Sequence, residues 1–309
     1  MSSPNYNGPA YIFKMNNTNV VMDRERIIQY IEDCHLPDGG YFFARIEPSS
    51  GLETYLATKT LKLLGAEIKN AKSIASFWEQ RDAEGSLGDL ITIFLAVETY
   101  KELGLQVGIF KKYKKYLADH YKHIVSRSAF VYSENIRLSR KSFSLAMSYF
   151  GTVGRELENL FYLVTLSRDL EVEINKEEVI KLVVSLQNKD GGFGQGGESH
   201  LMATYHALSI LKLLSFDVSE QKKVYNYLIE QWEDRSLLED LFHIIESLAL
   251  IHESLPDVNK IIQFVDSCQR NNGGFGRAPV MSIPTIVDTY FAISVVRVCE
   301  NYSHKKFLC

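Results

Sequence analysis

Two kinds of apolar pattern alternate along the chain, and both have the spacing of an α-helix. In the first kind, apolar residues recur every three or four positions and charged residues occupy the other side, as in 179–186. In the second kind, apolar residues cover most of the circumference, as in 201–214. The first pattern predicts an amphipathic helix, and the second predicts a helix buried on several sides. Sustained strand-type alternation appears nowhere, so we predict an all-α protein.

The amphipathic segments are copies of one unit. "VIKLVVSLQNKDGGFG" at 179–194 and "IIQFVDSCQRNNGGFG" at 261–276 are offset by 82 residues, or twice about 41, and "IIQYIEDCHLPDGGYF" at 27–42 is a third copy. The segments 73–88 and 224–240 look like copies whose glycine turn has been lost. A repeat of this length is one helix pair, which buries its apolar faces against neighbouring pairs.

Each copy is followed by a second, more apolar helix, predicted at 51–65, 88–104, 157–170, 198–214, 238–251 and 286–298. Six alternating pairs predict two concentric layers closed into an α/α toroid, because closure buries both ends of the array. Residues 105–156 fit no register, so we expect a diverged third repeat over 105–170. The predicted organisation is an N-terminal extension at 1–22, a single toroid domain at 23–300 and a C-terminal tail at 301–309.

Composition limits the classes of binding partner and the cellular compartment that we expect for this protein. The 309 residues are 46% hydrophobic with a net charge of −4, so no global positive field attracts nucleic acid. No run of about 18 apolar residues is present, which predicts no transmembrane segment. The four cysteines show no disulfide-like spacing, so we expect a reduced, cytoplasmic protein.

The glycine turn, the repeat length and the second-helix pattern together resemble the β subunits of protein prenyltransferases and the related terpene cyclases. The segment "GGFGQGGESH" at 191–200 is similar to the fourth repeat of farnesyl- and geranylgeranyltransferase β subunits. That resemblance implies that His200 binds an isoprenoid diphosphate. A histidine at a helix N-terminus adds a donor where backbone N–H groups already favour an anion, although a polar cap at a cavity rim explains it equally.

The fifth and sixth repeats depart from the family at its zinc site. By resemblance, Arg235 corresponds to a diphosphate-binding arginine and Asp240 to a zinc-binding aspartate. Phe242 replaces the zinc-binding cysteine, His243 replaces a tyrosine, and Asp288 stands where the family has a zinc-binding histidine. Because phenylalanine has no donor atom, the usual Zn²⁺ site that activates a thiolate is not expected. A rearranged metal site of Asp240, His243 and Asp288 is the alternative.

The second helices also begin with acidic or basic side chains: Glu53, Asp89, Glu158, His200, Asp240 and Asp288. Helix capping explains each of them singly. If they line a cavity instead, carboxylates there would suit Mg²⁺ bridging to a diphosphate. Alternatively, a carboxylic acid kept neutral by apolar surroundings could protonate an alkene, as cyclases of this superfamily do, and Asp288 and Asp240 are the candidates for that acid.

Aromatic residues are the last group of candidate functional residues. The chain has 17 Phe and 17 Tyr, and those on the second helices are Tyr55, Phe94, Tyr205, Phe242, Tyr290 and Phe291. Aromatic walls enclose isoprenoid chains and stabilise carbocations, although ordinary core packing also explains such residues. The predicted substrate-binding residues are therefore His200, Arg235, His243, Tyr205, Tyr290, Phe242 and Asp89.

These observations favour an enzyme that uses an isoprenoid diphosphate, either to prenylate an acceptor that the sequence does not identify or to form a cyclic terpenoid. Two alternatives stay open. One is a non-catalytic toroid that serves as a binding or scaffold protein, because two of the three zinc ligands are replaced. The other is a zinc-dependent protein prenyltransferase β subunit, which would need an α-subunit partner.

Overall fold

The computed structural model of the chain describes residues 11–14, 21–134, 143–216, 222–233 and 236–306, with side chains at 22–124, 155–216, 222–233 and 236–302. Twelve α-helices lie within these residues and form six consecutive pairs. The first helices of the pairs are α1 (Arg24–Glu32), α3 (Ala71–Ala83), α5 (Lys114–Glu134), α7 (Lys176–Val184), α9 (Lys222–Glu233) and α11 (Val258–Ser267). The second helices are α2 (Gly51–Leu63), α4 (Leu90–Glu102), α6 (Phe143–Asp169), α8 (Leu201–Leu213), α10 (Leu238–Leu250) and α12 (Ile286–Lys306).

The paired helices confirm the predicted all-α class and the alternation of amphipathic and buried helices. In α8, for example, eight of the thirteen residues are buried. In α7, by contrast, only Val179 and Val183 are buried, and the acidic and basic residues of the helix face outward. None of the helices in the described part of the chain is long and apolar enough to cross a membrane.

The third pair explains why residues 105–156 fit no register. A 3₁₀ helix at Val107–Tyr113 leads directly into the 21-residue α5, and the 27-residue α6 follows. The predicted second helix at 157–170 is the C-terminal half of α6. Each helix of this pair is longer than the corresponding helix of the glycine-turn copies, so a period of about 41 residues cannot align them.

The chain divides into two compact units. Unit 1 comprises 1–77, 237–239 and 256–309, and unit 2 comprises 78–236 and 240–255. The predicted boundaries of extension, domain and tail stay predictions. Before the first helix, β1 (Tyr11–Lys14) pairs antiparallel with β2 (Val21–Asp23). The last helix, α12, continues to Lys306.

Within unit 1, the sixth pair packs against the first pair. Helix α12 lies along α2, and Nε of Arg297 donates a hydrogen bond to the carbonyl of Leu63 over 2.7 Å. At the other end, a Cβ added to Gly273 would lie 2.3 Å from the carbonyl oxygen of Arg26 in α1. The last repeat of the sequence is therefore the spatial neighbour of the first.

The glycine turn joins the first helix of a pair to its second helix by the same hydrogen bonds in three copies. The residue after the glycine pair donates its backbone N–H to a threonine Oγ1 of the second helix: Tyr41 to Thr54 over 2.9 Å, Phe193 to Thr204 over 3.0 Å, and Phe275 to Thr289 over 3.1 Å. Gly191 shows why the turn needs glycine. Its φ is +100°, and an added Cβ would lie 2.2 Å from the carbonyl carbon of Lys223 in α9. These glycines therefore pack each pair closely against the next, and a short β-bridge within each turn, such as Gln187 to Phe193, holds its shape.

Candidate functional site

An aromatic residue recurs at one register of the second helices. Counting from the first helical residue, the fifth is Tyr55 in α2, Phe94 in α4, Tyr205 in α8, Phe242 in α10 and Tyr290 in α12. Helix α6 begins earlier and carries Phe161 and Tyr162 in its C-terminal half. Because a repeat places equivalent positions at equivalent points of the fold, this register presents an aromatic side chain from five of the six pairs.

In unit 2 these rings form one connected set, which we call the aromatic row: Phe94, Phe161, Tyr162, Tyr205, His206, Phe242 and His243. The ring centroids are 4.2 Å apart between Phe94 and Tyr162 and 5.6 Å apart between Phe161 and His206. Tyr205 continues the set, with its centroid 5.4 Å from Phe242 and 5.5 Å from His243.

The aromatic row is mostly buried, but two of its rings reach solvent. Phe161 and Tyr205 are partly exposed, whereas Phe94, Phe242 and both histidines are buried. An apolar ligand that approaches the row would therefore meet Phe161 of α6 and Tyr205 of α8 first.

The two histidines of the row are uncharged at neutral pH. Burial lowers the pKa of His206 to about 4, and the nearby Met202 carbonyl counteracts this only in part. Burial lowers the pKa of His243 to about 3, and the neighbouring His206 lowers it further. Nδ1 of His206 is enclosed and makes no hydrogen bond of regular geometry. The aromatic row therefore contains two uncharged imidazole rings among apolar side chains.

In unit 1 the corresponding tyrosines surround a lysine. Nζ of Lys59 lies 5.3 Å from the ring centroid of Tyr55 and 5.5 Å from that of Tyr290, and it donates a hydrogen bond to the Tyr55 hydroxyl over 2.8 Å. In the first turn of α2, the buried Glu53 carboxyl accepts a hydrogen bond from the backbone N–H of Phe43 over 2.7 Å. Burial raises the pKa of Glu53 to about 7, although the Phe43 hydrogen bond acts in the opposite direction.

Asp288, a predicted acid, lies in the first turn of α12 in unit 1. It is 8% exposed, and its Oδ2 accepts a hydrogen bond from Oγ1 of Thr285 over 2.7 Å. Burial raises the pKa of Asp288, while the Thr285 hydrogen bond and the Arg277 charge act against it. This environment favours the neutral carboxylic acid more than an exposed aspartate would.

The predicted residues at the other helix N-termini differ in what they do. Asp89 is the N-cap of α4, and its side chain accepts the Thr92 N–H over 2.9 Å, as the capping interpretation expects. His200 occupies the N-cap position of α8, but its side chain makes no capping hydrogen bond. Arg235 lies outside the described residues. Roles for all three in substrate binding stay predictions.

The predicted metal ligands do not fit zinc. Among the described residues there is no group of three His, Cys, Asp or Glu side chains that could hold a metal ion. Asp240 is partly exposed, and His243 is buried with its ring centroid 5.3 Å from that of Phe242, which has no donor atom. We therefore assign no chemical step to zinc.

Of the predicted residues, Tyr205, Phe242 and His243 lie in the aromatic row and Tyr290 lies near Lys59, and their roles in binding stay predictions. The sequence analysis did not single out His206 or Lys59. Register is the signal that finds His206, because it is the sixth residue of α8 as His243 is the sixth of α10. No comparable signal marks Lys59.

Two solved structures have a fold similar to that of this chain. A chain from the Candida albicans protein geranylgeranyltransferase-I complexed with GGPP is similar at a TM-score of 0.61 and 14% identity, covering 92% of each chain. A type II terpene cyclase from Scytonema, in complex with geranylgeranyl dihydroxybenzoate, is similar at a TM-score of 0.55 and 12% identity, covering 91% of this chain and 96% of the other. No curated protein matches the sequence.

At these identities the two structures establish the fold alone. The family model described as the prenyltransferase alpha-alpha toroid domain matches residues 10–92, 112–240 and 230–307, which is most of the chain. The match confirms both the predicted α/α toroid and the resemblance on which it was partly based. The chain belongs to the prenyltransferase alpha-alpha toroid family.

Proposed function

We propose that this protein is an enzyme that uses isoprenoid diphosphates, for prenyl transfer or for terpenoid cyclisation. The observation that carries the proposal is the aromatic row of unit 2, in which Phe161 and Tyr205 are partly exposed. Aromatic faces hold an apolar prenyl chain and stabilise the positive charge that develops when its allylic carbon reacts. Two similar structures contain geranylgeranyl ligands, which supports the same class of substrate here.

The diphosphate group would bind at the N-terminus of α8. His200 holds the N-cap position there, and the first backbone N–H groups and the dipole of a helix favour an anion at such a position. Arg235 would add a positive charge, as the resemblance implies. Mg²⁺ would arrive with the diphosphate and use Asp240 as one carboxylate ligand, because Mg²⁺ commonly takes only one or two protein carboxylates beside substrate phosphates.

A second candidate within this class is cyclisation started by protonation of an alkene. Asp288 favours it, because burial raises the pKa of this carboxyl and Thr285 holds one of its oxygens. Thiolate prenylation is disfavoured, since Phe242 occupies the position of a zinc-binding cysteine. The two candidates differ in their products: prenyl transfer releases diphosphate, whereas protonation-initiated cyclisation retains it.

The experiment is incubation of the purified protein with C10, C15 and C20 prenyl diphosphates, each with Mg²⁺, with Zn²⁺ and without metal. Diphosphate release is measured colorimetrically, and organic products are identified by mass spectrometry. Turnover with Mg²⁺ or without metal is expected. Turnover only with zinc and a co-purified helical partner would instead favour a protein prenyltransferase β subunit. Neither turnover nor binding in any condition would favour a non-catalytic toroid.

A matched pair of variants connects any activity with the aromatic row. Tyr205→Leu removes a ring of the row, whereas Tyr225→Leu removes a partly exposed ring from the first helix α9. Loss of one cation–π contact of about 1–2 kcal/mol should slow turnover roughly 5- to 30-fold in Tyr205→Leu. Tyr225→Leu should leave turnover unchanged. Equal losses of turnover in both variants would show that the activity does not depend on the aromatic row.

A further inference from the structure

A loop of unit 1 exposes three large apolar side chains within four positions. Residues 277–283, which we call the apolar loop, lie between the last glycine turn and α12. Val280 is 76% exposed, Met281 104% and Ile283 65%, which are the highest values among the large apolar side chains of the described residues. Single exposed apolar residues are ordinary, but a cluster of three is a surface patch that calls for an explanation.

Hydrogen bonds hold the base of the apolar loop. Arg270 donates from Nε to the carbonyl of Ser282 over 3.0 Å and from Nη2 to the carbonyl of Ala278 over 2.6 Å. Oγ of Ser282 donates to the same Ala278 carbonyl over 2.7 Å and accepts a hydrogen bond from Nη2 of Arg270 over 2.7 Å. These bonds tie the two ends of the loop together, so the tip between them projects from unit 1 with a defined conformation.

Methionine at position 281 is a poor choice for folding alone. Its φ is +57°, in the left-handed region where a Cβ atom is unfavourable and where glycine or asparagine is the usual residue. The corresponding connection of the fourth pair has glycine in such conformations, with φ of +69° at Gly196 and +86° at Gly197, and residues 195–199 contain no apolar side chain. The repeat can therefore make this connection from glycine and polar residues, and the apolar tip serves something other than the fold.

The backbone of the apolar loop suits surroundings with little water. Pro279 and Pro284 flank the tip, and proline has no N–H group to satisfy. The carbonyls of Ala278 and Ser282 already accept hydrogen bonds from Arg270. Because an apolar medium penalises every backbone polar group without a partner, these features lower the cost of moving the tip into hydrocarbon.

Shape, size and charge favour a lipid bilayer over a protein as the occupant of this surface. The tip is convex, because Met281 is fully exposed, and it has no aromatic residue of the kind that anchors protein interfaces. A stable protein interface buries about 800 Å² on each side, which is more than three projecting side chains supply. No acidic residue lies within 277–285, and Nη2 of Arg277 lies 3.2 Å from Oε2 of Glu239, so the charge beside the tip is balanced. A fluid apolar layer adapts to such a tip without a complementary pocket.

We propose that the apolar loop inserts Val280, Met281 and Ile283 into the surface of a lipid bilayer, so that the protein binds membranes peripherally and reversibly. Three inserted side chains give an affinity close to that of one acyl chain, with a partition constant of about 10⁴ M⁻¹. Because apolar burial drives the insertion, zwitterionic lipid is sufficient. Membrane binding of this kind does not depend on the proposed function.

Co-sedimentation of the full-length protein with phosphatidylcholine vesicles tests the insertion. We expect binding without anionic lipid and with little dependence on salt. Met281→Asn should weaken binding roughly tenfold and leave the stability equal or higher, because asparagine tolerates the left-handed region. Ile109→Asn is the matched control, since Ile109 is 48% exposed in the 3₁₀ helix of unit 2, and it should leave vesicle binding unchanged.

Two further measurements locate the contact. Vesicles should slow amide hydrogen exchange in peptides that cover 277–285 and leave peptides that cover 107–113 unchanged. The combined variant Val280→Ser, Met281→Asn and Ile283→Ser should lower the vesicle affinity by about 100-fold or more, because it removes all three apolar side chains from the tip.

Absence of vesicle binding would overturn the proposal, as would binding that the combined variant retains. Binding only to vesicles that contain phosphatidylserine, with loss of binding at high salt, would also overturn it, because surface charge would then hold the protein. Concentration-dependent dimers that Met281→Asn abolishes, without vesicle binding, would make the apolar loop a contact between copies of the chain instead. Prenyl diphosphates are absent from these measurements, so none of these outcomes decides the proposed function.

Discussion

Replacing Gly191 by alanine tests whether the glycine turns join neighbouring helix pairs by close backbone contact. An added Cβ would lie 2.2 Å from the carbonyl carbon and 2.3 Å from the carbonyl oxygen of Lys223. Both atoms belong to the backbone of α9, so the clash cannot be relieved by a side-chain rotation. Gly196 provides a matched control, because its φ is also positive, at +69°, and nothing lies within 4 Å of an added Cβ.

The expected losses follow from two separable terms. A left-handed φ costs an alanine about 1–2 kcal/mol at Gly196, and the φ of +100° at Gly191 costs at least as much. The steric overlap adds about 1–3 kcal/mol in Gly191→Ala only. Alanine also lowers the conformational entropy of the unfolded chain relative to glycine, which restores about 0.4–1 kcal/mol of stability in each variant. We therefore expect Gly191→Ala to lose roughly 1–5 kcal/mol of the free energy of unfolding and Gly196→Ala to lose about 0–1.6 kcal/mol.

Urea denaturation followed by far-ultraviolet circular dichroism measures both losses. The comparison is valid if the slope of free energy against urea is the same in the two variants, since a changed slope signals a changed unfolding reaction. Equal destabilisation of the two variants, or a larger loss in Gly196→Ala, would refute the close-contact interpretation. The corresponding turns at Gly39 and Gly273, which face Ser73 and Arg26, should respond like Gly191.

Three further predictions test single groups. Thr204→Val should cost about 1–3 kcal/mol in urea denaturation because it leaves the buried Phe193 N–H without an acceptor, whereas Thr204→Ser should retain most of the stability. Glu53 has its pKa raised by burial to about 7, so its contribution to stability is complete below the unfolded value of 4.5 and falls as pH rises towards 7. Glu53→Gln should therefore flatten the fall in melting temperature between pH 4.5 and 7.5, and an unchanged slope would contradict this assignment. If Asp288 is the acid, Asp288→Asn should lower product formation by about 100-fold or more with little change in prenyl diphosphate affinity, and unchanged turnover would exclude that role.

The helix pairs were predictable because their causes are local. The spacing of apolar residues distinguishes exposed from buried helices, and the glycine turn marks where one becomes the other, as at Gly191. The third pair was not predictable in detail, because the long α5 and α6 have no glycine turn to mark their boundary. The hydrogen bonds between each glycine turn and its second helix were not predictable either. A threonine such as Thr204 can cap a helix, pack in the core or accept a hydrogen bond from a distant N–H, and the sequence does not show which.

The candidate site was predictable only in part. Tyr205 and Phe242 could be assigned to second helices from periodicity, but their ring contact depends on how α8 and α10 pack. A charged residue at the start of a helix can cap the helix or line a binding site, and the sequence does not distinguish the two roles. The structure shows capping for Asp89. His206 was not predicted because its burial among aromatic rings is a property of the folded chain.

The most direct measurement of the central claim is photo-crosslinking with a farnesyl diphosphate analogue that carries a diazirine on its terminal isoprene unit. Labelled peptides are identified by mass spectrometry after digestion, with excess farnesyl diphosphate as competitor. We predict competable labelling of second-helix residues of the aromatic row, centred on Phe161 and Tyr205. Labelling confined to first helices such as α9, or labelling that farnesyl diphosphate does not compete, would contradict the proposal that the aromatic row holds an isoprenoid chain.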